Sequence, residues 1–367
     1  MEFIDLKKQY SNYKSEIDEA IHKVLDHGKY IMGPEITELE EALSTFVGRK
    51  HCLTVSSGTD SLLMALMALE IGPGDEVITT PFTWISTAEV IKLVGATPVF
   101  VDIDPETYLI DVEQAEAAIT NKTKAIIPVD LYGHLADYVL LEKIAKKYGV
   151  AIIQDAAQSF GASQDSNKSC SQGTISSTSF FPAKPFGCYG DGGAVFTDDD
   201  ELARKMRAIR THGGEKRHHH TLVGINGRFD TMQAAVLLAK LPHFKAEVKL
   251  RQKIADRYTR GLDVCCKTPV VLQGNEHVFG LYTIRTDCRD ILQEAFKEKG
   301  IPCAIYYPKC LHEQPVFEDL GYRYGDFPHA EQAALELLSL PMHPWLNEED
   351  QDQVIDCVLN CLATASV

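Results

Sequence analysis

Residues 124–155 read KAIIPVDLYGHLADYVLLEKIAKKYGVAIIQD, in which two short apolar runs, at 124–130 and 150–155, are separated by a helical segment. Runs of this kind indicate strands buried on both faces, and the helix between them indicates a parallel crossover connection. The same alternation occurs upstream, where further apolar runs read HCLTV, EVITT and TPVFVDI. We therefore predict an α/β fold with a doubly wound, mostly parallel sheet covered by helices.

The remainder of the chain has a different pattern. A long helical stretch at about 230–261 is followed by two predicted strands, LYTIRT at 281–286 and CAIYY at 303–307, with helices between and after them. A chain of 367 residues is long enough for two domains. We predict a large domain with N-terminal helices at 1–245 and a small α+β domain at 246–367.

Composition limits the possible partners. The net charge of −16 argues against a nucleic-acid partner, which requires a basic surface. No stretch approaches the ~20 apolar residues of a membrane span, and the start MEFIDLKKQY has no apolar signal region. Ten cysteines without a CxxC pair suit thiols in a reducing cytosol. We predict a cytoplasmic protein without a metal site, since adjacent histidines such as 218–220 do not easily share a metal.

One lysine stands in an unusual setting. The segment TSFFPAKPFGCYGDGGAVF, residues 178–196, places Lys184 between Pro182 and Pro185 and ahead of several glycines. Proline fixes φ and lacks a donor, and glycine favours unusual backbone angles. We therefore predict a short strand at 179–181 that leads into a rigid, irregular turn. Such a turn suits an amine held in one position, although an ordinary surface-loop lysine is the alternative.

Three further features follow predicted strands, where α/β sheets bind ligands. Thr59 and Asp60 begin a helix, whose free N–H groups suit a phosphate, or they simply cap that helix. Asp155 ends an apolar strand, where a buried carboxylate needs a partner. That partner is either a bound cation or the N-terminus of the helix that follows. Gln158, three residues on, can share the same site. Trp84 lies after EVITT, where it either stacks on a flat heterocycle or belongs to the core.

Together with Lys184, these features match the requirements of pyridoxal 5′-phosphate (PLP). A lysine amine bonds the cofactor aldehyde, and a carboxylate pairs with the pyridinium nitrogen. A Rossmann dehydrogenase is the main competitor for a doubly wound sheet. The sequence has no G-x-G-x-x-G motif between a strand and a helix, and it has no P-loop motif.

The chain also resembles the DegT/StrS-type nucleotide-sugar aminotransferases in a series of motifs: SSGTDSL, PFTWISTAEVI, VDIDPETY, QDAAQSFGA, SFFPAKPFGCYGDGGAVFTDD, GINGRFDTMQAA and SLPMHPWL. The resemblance extends over nearly the whole chain. It implies the aspartate-aminotransferase fold (fold type I), PLP as cofactor, and a homodimer with active sites at the subunit interface.

The resemblance implies a role for each matching residue. Lys184 would hold the cofactor and move the proton, Asp155 would pair with the pyridinium, and Gln158 would reach the ring hydroxyl. Trp84 would stack on the ring. The phosphate would be held by Thr59, Asp60, Ser179 and, from the other subunit, Asn226. Some family members are dehydratases with histidine at the lysine position, and Lys184 disfavours that branch.

Within the family, the sequence is most similar to enzymes that aminate UDP-2-acetamido-2-deoxy-3-oxo-glucuronate with glutamate, in the stretches GKYIMGPEITELE, DLYGHLADY and RTHGGEKRHHH. That branch has a His-Tyr-Pro segment where this chain has Tyr306 and Tyr307 before Pro308. Tyr306 thus replaces a histidine, and its hydroxyl can both donate and accept a hydrogen bond. A related enzyme for a 4-keto or dTDP-linked sugar is the alternative.

Two further residues are candidates for substrate binding. Arg228 suits bidentate binding of a uronate carboxylate, or it pairs with Asp230. His212 either reaches the substrate or packs its own loop. Two other classes remain open, a fold-type-I lyase or dehydratase and a PLP-binding regulator, and the sequence offers no basic patch or helix-turn-helix in support of a regulator.

Overall fold

The computed structural model describes residues 1–216 and 218–365. The α-helices of this part, in chain order, are α1 Leu6–His27, α2 Pro34–Val47, α3 Gly58–Ala68, α4 Ser86–Leu93, α5 Val112–Ala117, α6 Tyr138–Tyr148, α7 Asp200–Arg210, α8 Thr231–Leu262, α9 Arg289–Glu298, α10 Pro328–Glu336 and α11 Glu348–Ala365. Short 3₁₀ helices occupy Leu131–Gly133, Leu311–Glu313 and Pro315–Leu320. None of the helices described is long and apolar enough to cross a bilayer.

The strands are β1 His51–Val55, β2 Glu76–Thr79, β3 Thr97–Phe100, β4 Thr123–Ile126, β5 Ala151–Asp155, β6 Ser163–Gln164, β7 Asn167–Lys168, β8 Ile175–Ser179, β9 Gly193–Thr197, β10 Gly214–Lys216, β11 His219–His220, β12 Asn275–Glu276, β13 Tyr282–Arg285 and β14 Leu337–Leu340. Seven of them form one sheet in the order β1-β9-β8-β5-β4-β2-β3. Strand β9 is antiparallel to both neighbours, and the other neighbouring pairs are parallel. The predicted doubly wound, mostly parallel sheet is confirmed.

Helices cover both faces of this sheet. Successive side chains of a strand point to opposite faces. Accordingly, Val195 of β9 packs in a core with α3 and α7, whereas Ala194 and Phe196 pack in another core with α2 and α8. The strands are therefore apolar on both faces, which explains the continuous apolar runs in the sequence.

Helix α8 joins the two parts of the chain. It runs for 32 residues and contains Pro242, so the predicted domain boundary at 245/246 lies inside a continuous helix. A separate core beyond this point includes Tyr258 of α8, Tyr282 of β13 and Leu338 of β14. This core supports a C-terminal packing unit, and the division at 245/246 itself remains a prediction.

Two predicted strands differ in the structure. The prediction of a strand at 303–307 is wrong, because Ala304 forms only an isolated bridge to Ser339, and β13 pairs with the fully buried β14 instead. The strand expected at 179–181 lies earlier, at Ile175–Ser179. Its hydroxyl-rich sequence is buried between β5 and β9, where Ser176 Oγ, for example, donates to the carbonyl of Gln172 at 2.7 Å.

Candidate active site

A cavity of about 480 Å³ opens at the carboxyl end of β5. The irregular segment after β8, the start of α3 and the segment around residue 306 all contribute to its wall. The cavity brings together eight of the predicted site residues: Thr59, Trp84, Asp155, Gln158, Ser179, Lys184, Tyr306 and Tyr307.

Asp155 is the last residue of β5 and is only 4% exposed. Its Oδ2 accepts a hydrogen bond from Thr87 Oγ1 at 2.8 Å, and its Oδ1 accepts one from the Ala157 N–H at 3.2 Å. Burial raises the pKa of this carboxyl, while the two donors and the charge of Lys184 act in the opposite direction. The strand end therefore delivers a desolvated carboxylate whose two oxygens are both held.

Lys184 lies on the predicted irregular turn, where its N–H donates to the carbonyl of Phe181 at 2.8 Å. Burial lowers the pKa of its ammonium, and the negative charge of Asp155 opposes that shift. The two groups interact electrostatically without a direct ion pair in the part of the chain described. Space for a ligand thus remains between a half-buried amine and a buried carboxylate of opposite charge.

The start of α3 forms a second wall. Ser57 caps this helix, since its Oγ accepts the N–H of Asp60 at 3.0 Å. A Cβ atom on Gly58 would lie 2.7 Å from Cβ of Ser179, so only glycine permits this close approach of the helix to β8. Thr59 Oγ1 is 2.7 Å from Ser86 Oγ at the cavity wall. The first N–H groups of a helix lack intrahelical partners. The N-terminus of α3 lies at the cavity wall, so its N–H groups are close to a ligand bound there.

Asp60 itself does not line the cavity. Its carboxylate accepts a hydrogen bond from the hydroxyl of Ser56, beside the capped first turn. The residue that caps α3 is Ser57, and not Thr59 or Asp60 as the capping alternative has it. A contact between Asp60 and a phosphate remains a prediction.

Gln158 is held in one orientation by residues that the sequence analysis missed or assigned otherwise. Its Oε1 accepts the backbone N–H of Tyr132 at 3.0 Å, and its Nε2 lies 3.2 Å from the hydroxyl of Tyr307. Tyr132 adopts a positive φ of 59° and has no sequence signal of its own. Thr87 was also missed, although it lies only three residues beyond Trp84, in the first turn of α4.

Trp84 is not part of the core. Its side chain is 59% exposed at the cavity wall, and its ring lies 6.3 Å from that of Tyr307 at a tilt of 39°. The exposed face of the indole therefore remains available to a flat ligand.

Besides Asp60, three further predicted substrate or phosphate residues lie outside this cavity. Asn226 is exposed, and its backbone forms a bridge with Thr211. Arg228 forms a backbone bridge with Val55, and within residues 1–216 and 218–365 it makes no ion pair, with Asp230 or otherwise.

His212 is the third of these residues. It is exposed, its N–H donates to the carbonyl of Ile225 at 2.9 Å, and its own carbonyl accepts from Nδ1 of His220 at 2.8 Å. Both contacts are made by the backbone of His212, so neither assigns a role to its side chain. Its contact with a substrate remains a prediction, as do those of Asn226 and Arg228.

Comparison with known proteins identifies the family. The sequence model of the DegT/DnrJ/EryC1/StrS aminotransferase family matches residues 11–359, nearly the whole chain. The chain belongs to this family. The aminotransferase therefore uses PLP, and the predicted resemblance is confirmed.

Individual relatives agree. A UDP-2-acetamido-2-deoxy-3-oxo-D-glucuronate aminotransferase from Pseudomonas aeruginosa is 52% identical over 348 residues, which cover 95% of this chain and 96% of the relative. A DegT DnrJ EryC1 StrS aminotransferase from Brucella abortus has a TM-score of 0.96 at 44% identity, with 99% of both chains covered. NtdA from Bacillus subtilis, with bound cofactor PMP, has a TM-score of 0.91 at 31% identity and covers 99% of this chain and 85% of that one. The predicted fold type I is thus confirmed.

The cavity of the aminotransferase fits PLP on its own geometry. Gly58 allows the N-terminus of α3 to lie directly against Ser179, so that both line the part of the cavity where a phosphate would bind. Asp155 offers a buried carboxylate without a directly paired cation, which suits a protonated ring nitrogen. Lys184 presents its amine to the same space, and Trp84 presents an open aromatic face.

Proposed function

We propose that the aminotransferase moves an amino group from L-glutamate to the keto group of UDP-2-acetamido-2-deoxy-3-oxo-glucuronate and so forms the 3-amino sugar. The observation that carries this proposal is the placement of Lys184 and Asp155 across one cavity in a chain 52% identical to an enzyme named for that substrate. The product would serve the synthesis of a surface polysaccharide such as a lipopolysaccharide O-antigen. The many cysteines suit a reaction in the cytosol.

Bound PLP supplies an aldehyde that takes up the amino group and a ring that accepts the electron pair of the reacting carbon. We assign two tasks to Nζ of Lys184, which holds the cofactor and then carries a proton to and from the reacting carbon. Because burial lowers the pKa of Lys184, a larger share of its amine is neutral and able to accept that proton.

Asp155 provides the counter-charge for the ring. The hydroxyl of Thr87 and the N–H of Ala157 hold its two oxygens, so the carboxylate does not have to reorient when charge develops nearby. Gln158 is likewise held by the N–H of Tyr132, which leaves its amide to contact the ring hydroxyl. Trp84 covers one face of the ring.

The phosphate and the sugar occupy opposite ends of the proposed complex. Thr59 in the first turn of α3 and Ser179 at the adjoining end of β8 hold the phosphate, and Asp60 contributes to the same turn of α3. Tyr306 and Tyr307 line the cavity and contact the sugar. Tyr306 takes over the hydrogen bond of a histidine, because a phenol also donates and accepts.

A homodimer completes this arrangement. Asn226 is exposed and does not line the cavity of its own chain, which suits a contact with the phosphate in the other subunit. Arg228 has no ion-pair partner in the part of its own chain that is described, so its guanidinium is available for the uronate carboxylate. We place His212, which lies on the neighbouring segment, near the same substrate.

The alternative substrate is a 4-keto or dTDP-linked keto sugar. It is favoured by one observation, the presence of Tyr306 at a cavity position where the related branch has histidine. A change at this position alters the hydrogen-bonding group that faces the sugar.

The proposal is tested by separating the two half-reactions. Protein loaded with PLP is mixed with glutamate alone, and the absorption change and the 2-oxoglutarate formed are measured. UDP-linked 3-keto, UDP-linked 4-keto and dTDP-linked keto sugars are then compared for their ability to reverse the change. We expect the 3-oxo-glucuronate to react fastest and Lys184→Ala to be inactive. Faster reaction of a 4-keto or dTDP-linked sugar would reject the substrate, and no response to glutamate would reject the donor.

A further inference from the structure

Two side chains of α8 hold the loop that carries Lys184. The ammonium of Lys240 donates a hydrogen bond to the carbonyl of Gly187, three residues beyond Lys184. Two helical turns earlier in α8, Oε1 of Gln233 accepts the N–H of Tyr189 at 2.8 Å. The irregular segment between β8 and β9 has only isolated backbone hydrogen bonds, such as the one from the Cys188 N–H to the carbonyl of Phe180 at 2.8 Å, and the two side chains of α8 add further anchor points.

Burial of the Lys240 ammonium costs more free energy than a neutral side chain would at a purely structural contact. Its side chain is only 2% exposed, and burial lowers the pKa of its ammonium to about 8. A buried charge costs free energy unless it is paired and hydrogen-bonded. The nearby carboxylate of Glu247 favours the charged form, and the ring of Tyr189 lies 5.4 Å from Nζ. The charge is thus retained in the interior with its donor directed at one loop carbonyl.

The carbonyl that Lys240 binds belongs to a tightly packed turn. A Cβ atom on Gly187 would lie 2.5 Å from the carbonyl oxygens of both Phe181 and Pro182. The backbone at Gly187 therefore folds directly onto the residues that precede Lys184. A displacement of the Gly187 carbonyl is transmitted to Lys184 through this contact, because the backbone atoms have no free space between them.

We propose that Lys240 is a positioning residue for the reaction, since it fixes the loop on which Lys184 faces Asp155. The effect is mechanical rather than electrostatic: the pKa of Lys184 responds to burial and to Asp155, and Lys240 is not among its causes. The inference rests on the proposed role of Lys184 as the residue that holds the cofactor and moves the proton.

The first test uses cofactor-free protein, so it does not depend on the sugar substrate. Lys184 is labelled with an amine reagent across a range of pH, and the labelled peptide is quantified by mass spectrometry. In Lys240→Met the released loop admits water to Lys184, so the labelling midpoint moves towards the ordinary lysine value of about 10.4. The matched control is Lys249→Met, which removes an exposed lysine from the same helix and should leave the midpoint unchanged.

The second test uses the PLP-loaded enzyme and glutamate. We expect Lys240→Met to lower the maximal single-turnover rate constant of the glutamate half-reaction by about tenfold or more, with little change in the glutamate concentration that gives half of this rate, because proton transfer depends on the position of Lys184. The pH at which the absorption band of the PLP-loaded enzyme changes should also differ between Lys240→Met and the wild type. Lys240→Arg retains a charged donor and should recover part of the loss.

Gln233→Met provides a second variant should Lys240→Met fail to fold, because Gln233 is only half-buried. It removes the other anchor and should shift the labelling midpoint in the same direction, by a smaller amount. The proposal is overturned when folded variants at 240 and 233 both label like Lys249→Met. A labelling shift with no glutamate reaction in the wild-type enzyme would instead reject the proposed function and leave the positioning role intact.

Discussion

At the scale of single residues, the site depends on the half-buried amine of Lys184 and the buried carboxylate of Asp155, which influence each other. Burial lowers the pKa of Lys184, and the charge of Asp155 limits this decrease. Asp155→Asn removes that charge at almost constant volume. We expect the pKa of Lys184 to fall further, so that in cofactor-free protein its labelling by an amine reagent accelerates near neutral pH and the midpoint moves to lower pH.

The matched control for this prediction is Asp191→Asn. Asp191 also lines the cavity, but its charge is not among the causes of the Lys184 shift. Its removal should leave the labelling midpoint in place. A midpoint that is unchanged or higher in Asp155→Asn would show that the two groups do not interact across the cavity.

At the scale of secondary-structure elements, the position of α3 against β8 shapes the proposed phosphate site. Gly58→Ala would place a Cβ atom 2.7 Å from Cβ of Ser179, so the helix must move away from the strand. Overpacking of this kind typically costs about 1–3 kcal/mol. We expect the affinity for PLP to fall by about tenfold or more, a change of about 1.4 kcal/mol, measured by titration of the cofactor-free protein.

Gly72→Ala serves as the control for this prediction. A Cβ atom at Gly72 would have its nearest contact at 3.6 Å, with the carbonyl of Val94, which is ordinary van der Waals distance. The variant should bind PLP like the wild type. Equal affinities of all three proteins would mean that the approach of α3 to Ser179 does not shape the binding site.

A second feature at this scale is the buried Asp130, which follows β4. It accepts hydrogen bonds from Gln154 Nε2 at 2.6 Å, Ser159 Oγ at 2.9 Å, Tyr138 OH at 2.9 Å and the Ala136 N–H at 3.1 Å. Burial nevertheless raises its pKa to about 7. The folded protein then binds more protons than the unfolded chain between about pH 4 and 7, so this contribution to stability is lost as the pH rises through that range.

We expect Asp130→Asn to remove this part of the pH dependence. The free energy of unfolding, measured with urea at several pH values, should decrease less steeply with rising pH than in the wild type. The amide also turns an N–H group towards existing donors, which costs about 1–3 kcal/mol overall. Asp256→Asn, an exposed aspartate of α8, is the control and should leave the slope as it is. Parallel slopes for Asp130→Asn and the wild type would contradict the raised pKa.

The elements also show which parts of the molecule can be predicted from sequence. Parallel strands buried on both faces are continuously apolar, so the runs at 124–130 and 150–155 predict strands β4 and β5 and place Asp155 at a strand end. Strand β8 reads ISSTS and lacks that signal, because its burial depends on hydroxyl groups that find partners only in the folded sheet. The orientation of Gln158 likewise depends on Tyr132, from a segment that approaches it only through the tertiary fold.

At the scale of the whole molecule, the cavity combines distant parts of the chain. Tyr307 from the C-terminal part contacts Gln158 beyond β5, and Ile4 from the N-terminal segment lines the same cavity. Asn226 and Arg228 do not reach it within one chain. A closed dimer with two-fold symmetry would give each site the same residues from the other subunit.

This shared site can be tested by mixing two inactive variants. Lys184→Ala removes the amine that we propose to react, and Asn226→Asp places a negative charge beside the proposed phosphate position of the other subunit. In a hybrid dimer, both lesions fall on one of the two sites, and the other site is intact. After dissociation and random reassociation of equal amounts, half of the dimers are hybrids, so about a quarter of the wild-type activity should return.

The control mixture combines Lys184→Ala with Asp155→Ala. Both residues line the cavity of the same chain, so a hybrid carries one lesion in each site and no activity should return. The two mixtures therefore differ only in whether the second residue acts in its own subunit or in the other. Equal lack of activity in both mixtures, with hybrid formation verified by mass, would show that Asn226 does not complete the site of a second copy.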